Sequence, residues 1–200
     1  MSEEQIARDY GLAHREFQAI FGHAARCSAA PGWHATATSL TVEERYDLRY
    51  TSNTRGGGPF LPEAGGRRFT TLEIPTTLPT WDEMLNAPPF RAKQELLDHY
   101  RALIRDTEVH SIHTEVEGTA LIDLFEQQLE CWQAGGVTFV TLGEIAADVS
   151  SQPAPPPARR LVRTTLPGRA GRVTASTGQT GLSTPKGSVK RQSGLLKDHA

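Results

Sequence analysis

The sequence predicts an α/β fold, and three observations carry that prediction. Short apolar strand-like runs alternate with amphipathic helical stretches, the connections between most of them are brief, and polar residues gather just after the strand-like runs. This alternation implies a parallel sheet wrapped by helices, with ligands meeting the carboxyl ends of the strands. Two hundred residues are enough for one such domain with a sizeable core.

Ser2 to Phe21 reads as a helix. Ser2 supplies a cap, Glu3 and Glu4 complement the dipole, Ile6, Tyr10, Phe17, Ile20 and Phe21 form an apolar stripe, and Gly22 ends it. An opening helix is unusual for an α/β domain, because its stripe must bury on something and no earlier element is at hand. Arg26 to Ala29 is a short strand candidate running into the turn Ala30-Pro31-Gly32-Trp33. A helical stretch around Leu40 to Arg45 precedes the strand Asp47 to Thr51, and the Gly- and Pro-rich segment Thr54 to Arg68 reads as a loop. Thr70 to Ile74 is a strand, followed by an extended run to Trp81. Phe90 to Ile104 is a helix with Leu96, Leu97, Tyr100, Leu103 and Ile104 on one side. A strand Val109 to His113, a helix Thr119 to Gln133, a strand Val137 to Val140 and a last helix Leu142 to Val149 complete the pattern.

Charge divides the chain near residue 150. Up to Ser150 there are 12 Lys and Arg against 22 Asp and Glu; beyond it, 9 against 1. The formal net charge of −2 therefore hides an acidic body, 1–149, and a segment 150–200 that opens with the Pro-rich run QPAPPPARR. The second segment has too few apolar residues for a core of its own and reads as a disordered basic tail suited to an anionic partner, or to none. Cys27 and Cys131 form no CxxC or Cys/His spacing, which favours reduced thiols. No run of 18 apolar residues exists, and the first ten residues lack the basic and apolar regions of a signal peptide, so a cytoplasmic location is expected.

Four places follow strands and could carry chemistry: Gly32-Trp33, then Ser52 to Arg55, then Thr76 to Asp82, then His113 to Glu117. His113 is the strongest. In an extended segment Glu115 and Glu117 would share its side, and a carboxylate beside an imidazole suits a general acid. Without more context it reads equally as a histidine bonded to a backbone group. The His/Glu/Glu spacing could also suggest a metal, but no HxxxH or HExxH supports that. Trp33 and Trp81 could wall a pocket or pack beneath a loop. Arg55 beside Asn53 could hold an anion such as phosphate, although the glycines after it form no phosphate-binding loop.

The blocks CSAAPGW (27–33), LRYTSNTRG (48–56), IPTTLPTWDE (74–83), IHTEVEG (112–118) and GVTFVTLGEI (136–145) occur in this order. Together they resemble the C-terminal part of the 4-deoxy-4-formamido-L-arabinose-phosphoundecaprenol deformylase family, within the polysaccharide deacetylase (NodB-like) superfamily. The resemblance runs from about Ser2 to Val149 and more weakly through LPGRAGR (166–172). It implies the C-terminal portion of a distorted (β/α) barrel and a metal-dependent hydrolase that deformylates an aminoarabinose carried on undecaprenyl phosphate. That step belongs to lipid A modification and polymyxin resistance. The resemblance also implies His113 as general acid toward the leaving amine, and Trp33 in the block that gives a backbone donor to the oxyanion. Asn53, Arg55, Trp81 and Asp82 match positions lining the sugar side, with Glu115 and Glu117 in the same substrate-side set.

The departure is informative as well. Family members carry an N-terminal D-x-D motif and a His-rich motif that supply the base and the ligands of a divalent metal; neither motif occurs here. The expectation is therefore a partial catalytic domain without metal ligands and with little activity of its own, Met1 being an internal start. Its exposed strand edges would make it prone to aggregate. Arg159, Arg160, Arg163, Arg169 and Arg172 could sit near anionic headgroups of the inner membrane's cytoplasmic face; no nucleic acid is expected. The alternatives are a deacetylase of the same superfamily acting on another N-acyl sugar, or a non-catalytic protein that binds a sugar or lipid phosphate.

Overall fold

The structure is a computed structural model that describes residues 1–86 and 93–178. It has a mixed α/β architecture, and its first helix, α1 (Glu3–Phe21), forms where the sequence places it. Ser2 closes a capping box with Gln5, and Gly22 ends the helix in the left-handed conformation at φ 74°. No α1 residue is fully buried; Leu12, Ile20 and Phe21 are exposed. The helix docks through one face on α2 (Ala37–Glu43), where Tyr10, His14 and Tyr46 stack and the Tyr10 hydroxyl donates to Glu43.

Three two-residue strands make the first sheet: β1 (Cys27–Ser28), β2 (Tyr50–Thr51) and, after the second sheet's opening hairpin, β5 (Leu72–Glu73). They pair in parallel, with Ser28 opposite Thr51 and Thr51 opposite Glu73. Backbone bonds carry the ladder onward, since Ile74 N donates to Thr51 O and Thr76 N to Thr54 O.

The segment read as a loop, 54–68, contains a hairpin: β3 (Leu61–Ala64) and β4 (Arg67–Arg68). Gly65 and Gly66, at φ 60° and 77°, form the two-residue turn whose twist matches antiparallel strands. The expectation of a disordered segment from residue 150 is corrected as well, for β6 (Ala158–Thr164) and β7 (Val173–Ser176) complete a second sheet in the order β4-β3-β6-β7. β3 and β6 are parallel, the other pairs antiparallel. These strands need no core of their own. Leu166 and Val173 pack on Trp33, while Arg55 N donates to Thr174 O and Ser176 N to Arg55 O. A Cβ on Gly56 would lie 2.4 Å from Ser176 Oγ, so the glycine run admits β7. The remainder of the basic segment, 179–200, lies outside the described residues.

Two further expected strands are absent among the described residues. Val109 accepts from Thr77 N and Leu78 N and donates to Thr77 Oγ1, which ties it to the first sheet at one residue. Extension stops at His113, whose N–H bonds the Glu117 carboxylate and opens a helical turn. Val137–Val140 pairs with no strand, and Phe139 and Val140 are about half exposed. The remaining helices are α3 (Trp81–Asn86), α4 (Lys93–Leu103), α5 (Ile122–Ala134) and α6 (Leu142–Ser151), the last opened by a Thr141–Glu144 capping box. The expected start of α4 at Phe90 lies outside the described residues. Leu78, Trp81, Leu96, Leu97, Tyr100, Leu124 and Trp132 form the largest apolar cluster, and it backs the candidate site.

Candidate functional site

His113 lies after the sheet's last tether, and Asp82 lies in the first turn of α3. Their side chains meet, His113 Nδ1 standing 3.1 Å from Asp82 Oδ1, and each is about one-third exposed. A carboxylate acceptor fixes the proton on Nδ1 and the plane of the ring, leaving Nε2 to exchange a proton with a ligand. The expected extended segment with both glutamates beside His113 is corrected. Residues 116–120 form a wide helical turn, so Glu117 swings back beneath the His113 N–H at 2.9 Å while Glu115 is exposed. Glu117 is thus a buried backbone anchor rather than a wall of a pocket.

Trp33 occupies a tight turn with φ 56°, a strained conformation for a bulky residue. Its own N–H donates to Ala30 O at 3.1 Å, so that donor is committed within the turn. Its indole Nε1 donates to Thr76 Oγ1 at 3.1 Å, and Thr76 Oγ1 lies 2.9 Å from Ser111 Oγ, two residues before His113. Two guanidinium groups, those of Arg55 and Arg169, stand 4.7 Å from the Trp33 ring.

Arg55 is fully buried and its charge is spoken for. Its Nη1 donates to both Glu83 oxygens, at 2.8 and 3.0 Å, and its Nη2 to Leu78 O at 2.9 Å. Burial lowers the Arg55 pKa, and the Glu83 carboxylate opposes that shift. Arg55 therefore holds the site's frame, not an incoming anion. Trp81 is also interior, packed against Tyr100 and Phe125 in the main cluster.

Asn53 sits one layer deeper, between two buried carboxylates. Its N–H donates to Glu73 at 2.7 Å and its side-chain amide to Glu43 at 2.8 Å, while Thr51 and Thr54 hydroxyls also donate to Glu73. Burial pushes the Glu43 pKa up to about 7 and raises that of Glu73 despite these bonds. Glu43 borders a cleft of about 1140 Å³ that Tyr10, His14, Cys27, Gly32 and His34 also line. His110, beside Tyr100 and Trp132, is pushed down to about 4 by burial and by the nearby Arg55 and His113 charges.

Sequence reasoning missed Glu43, Glu73, Glu83 and Arg169 as parts of this region. Glu43 and Glu73 look like ordinary helix and strand carboxylates, with no motif spacing to mark them, while Glu83 closes the block IPTTLPTWDE beside Asp82. Arg169 lay within LPGRAGR, the weak last block of the resemblance, and that block was its signal. Among the described residues no group of three or more His, Cys, Asp or Glu side chains could hold a metal ion, so this residue set does not fit the divalent metal that the resemblance implies.

Scaffold and site together define a mixed α/β protein with an Asp-paired histidine suited to proton transfer. No protein-family model matches the chain. It is 28% identical over 177 residues, 85% of this chain and 59% of the relative, to the "Probable 4-deoxy-4-formamido-L-arabinose-phosphoundecaprenol deformylase ArnD" of Wigglesworthia glossinidia brevipalpis. It is 29% identical over 153 residues, 72% of this chain and 47% of the relative, to the protein of the same name from Shewanella sediminis (strain HAW-EB3). The resemblance read from the five sequence blocks agrees with both. The chain spans about half to three-fifths of the length of these curated relatives. No described helix is long and apolar enough to cross a membrane.

Proposed function

We propose that this chain carries the general-acid and sugar-side portion of a deformylase acting on undecaprenyl-phosphate-linked 4-formamido-arabinose, in the aminoarabinose modification of lipid A that gives polymyxin resistance. The observation that carries this reading is the His113–Asp82 pair at 3.1 Å, about one-third open to solvent and joining two of the blocks that resemble the deformylases. In amide hydrolysis the amine leaves only if its nitrogen gains a proton, and an imidazole oriented by a carboxylate is suited to deliver it. His113 Nε2 is the delivering atom, Asp82 orients the ring, and Glu117 fixes the backbone of His113. Thr76 and Ser111 tie Trp33 to the segment that carries His113. The scaffold is read as the later part of a distorted (β/α) barrel.

The water-activating half of such a reaction belongs to a divalent metal in the polysaccharide deacetylase superfamily. The described residues offer no ligand set for it, and no step here is routed through it. The 200-residue chain by itself is accordingly proposed to release little formate. The test is formate release from a water-soluble 4-formamido-arabinose phosphate, with and without added zinc, cobalt or manganese. Background-level release in every condition is expected; metal-dependent turnover by this chain overturns the proposal of inactivity. In a full-length relative, alanine in place of the histidine that matches His113 should lower turnover far more than metal content; an equal loss of metal overturns the general-acid assignment.

A further inference from the structure

We propose that Arg169 is the anion-reading residue of this site and that it takes the phosphate of a sugar phosphate; this rests on the deformylase reading above. Four observations converge on it. Glu83 accepts two short bonds from the buried Arg55, while Arg169 Nη1 stands 3.7 Å from the same carboxylate, beyond hydrogen-bond reach. One carboxylate thus faces two guanidinium groups, and only Arg55 is hydrogen-bonded to it. Arg169 is the partner with access to solvent, its side chain 22% exposed against 0% for Arg55. Its plane is pre-positioned over the Trp33 ring at 4.7 Å, and Nη2 would lie 3.4 Å from a Cβ at Gly32, on the border of the large cleft.

A planar, partly exposed guanidinium held on an aromatic face is suited to bidentate recognition of phosphate. The surroundings sharpen the point. The body up to Ser150 carries 12 cationic against 22 acidic residues, so an anionic ligand is repelled over most of the surface and needs a local cation to enter. Arg169 supplies one from the segment beyond residue 150, whose 9 Lys and Arg face a single Asp. Its packing partners tie it to the elements that carry the acid–base pair. Glu83 is the neighbour of Asp82 on α3, and Trp33 connects through Thr76 to Ser111, two residues before His113. A sugar with an amide at one end of its ring and a phosphate at the other carries the two groups that His113 and Arg169 would read. Gly32 beside Arg169 takes the left-handed conformation at φ 61° that favours glycine.

The test is calorimetric titration of the full chain with three probes: 4-formamido-arabinose 1-phosphate, the same sugar without phosphate, and inorganic phosphate. The sugar phosphate should bind about tenfold or more tightly than the neutral sugar, an advantage that shrinks with added salt. Arg169→Ala should abolish that advantage while changing neutral-sugar affinity less than about twofold, and Arg169→Lys should keep part of it. Near-UV circular dichroism of both variants verifies that Trp33 stays packed. A phosphate advantage of full size in Arg169→Ala overturns this assignment and leaves the deformylase reading intact. Absence of binding by either sugar overturns both. Inorganic phosphate binding as tightly as the sugar phosphate overturns the sugar-phosphate assignment in favour of a free-phosphate site.

Discussion

Glu83→Gln keeps the shape of a side chain that holds two arginines and removes only its charge. In the structure Arg55 is wholly buried, with both Glu83 oxygens at 2.8 and 3.0 Å as its counter-charge and Leu78 O as its other acceptor. A glutamine offers one acceptor oxygen and no charge, so a buried guanidinium is left uncompensated, at about 3 to 5 kcal/mol by analogy with other broken buried pairs. Arg169 at 3.7 Å from the same carboxylate makes the loss worse, since two cations would then face each other without an anion. Replacing both partners, as in Arg55→Met with Glu83→Gln, removes the buried charge along with its counter-ion and should recover about half of the loss or more. Urea unfolding followed by far-UV circular dichroism at pH 7 measures this. With a slope of about 2 kcal/mol/M, the single variant should shift the midpoint down by about 1.5 M or more. A shift under about 0.5 M at unchanged slope, or strictly additive effects in the double variant, refutes the reasoning that Glu83 is the charge that keeps Arg55 in the interior.

Stability against pH should reveal two opposing buried groups. Glu43 titrates near 7 when folded against an ordinary 4.5, so its contribution is full below about 4.5 and is lost as pH rises through 7. His110 titrates near 4 against an ordinary 6.5, so its contribution is full above 6.5 and is lost as pH falls through 4. Each amounts to about 3 kcal/mol, and they offset between pH 4.5 and 6.5. Glu43→Gln should therefore give stability that climbs with pH across this window, and His110→Gln stability that falls; parallel profiles for the two variants refute this. Ending the chain at Ser151 should leave a molten or insoluble product. It removes Leu166 and Val173 from Trp33 and takes away the β7 partners of Arg55. Strong binding of a hydrophobic dye and loss of near-UV ellipticity would show it, whereas a cooperative melt equal to that of the whole chain would contradict it.

The parts of the fold legible in the sequence are those specified by local chemistry. α1 is bounded by Ser2 and Gly22, both visible as caps, and α6 falls close to the expected Leu142 to Val149. The parallel strands around Cys27, Tyr50 and Leu72 follow from alternation with helices. What escaped depends on contacts distant in sequence. β6 and β7 look like a polar basic segment because their burial is supplied by Trp33, Arg55 and β3, about a hundred residues earlier. The Gly65-Gly66 hairpin was readable from its glycines, but a loop reading absorbed it. At the site, His113 and Asp82 do meet as neighbours. Asn53, Arg55, Trp81 and Glu117 instead turn inward, because a sequence block marks a residue without saying whether it touches a ligand or holds the residue that does.

The central claim is that Asp82 orients the His113 imidazole so that Nε2 meets the formamido sugar. Nitrogen-15 spectra of the histidine side chains, with His113 assigned by its loss in His113→Gln, test this most directly. The His113 ring should be protonated at Nδ1 in its neutral form, become a tautomer mixture in Asp82→Asn, and show a selective shift of Nε2 when 4-formamido-arabinose 1-phosphate is added. A His113 signal indifferent both to Asp82→Asn and to the sugar would contradict it.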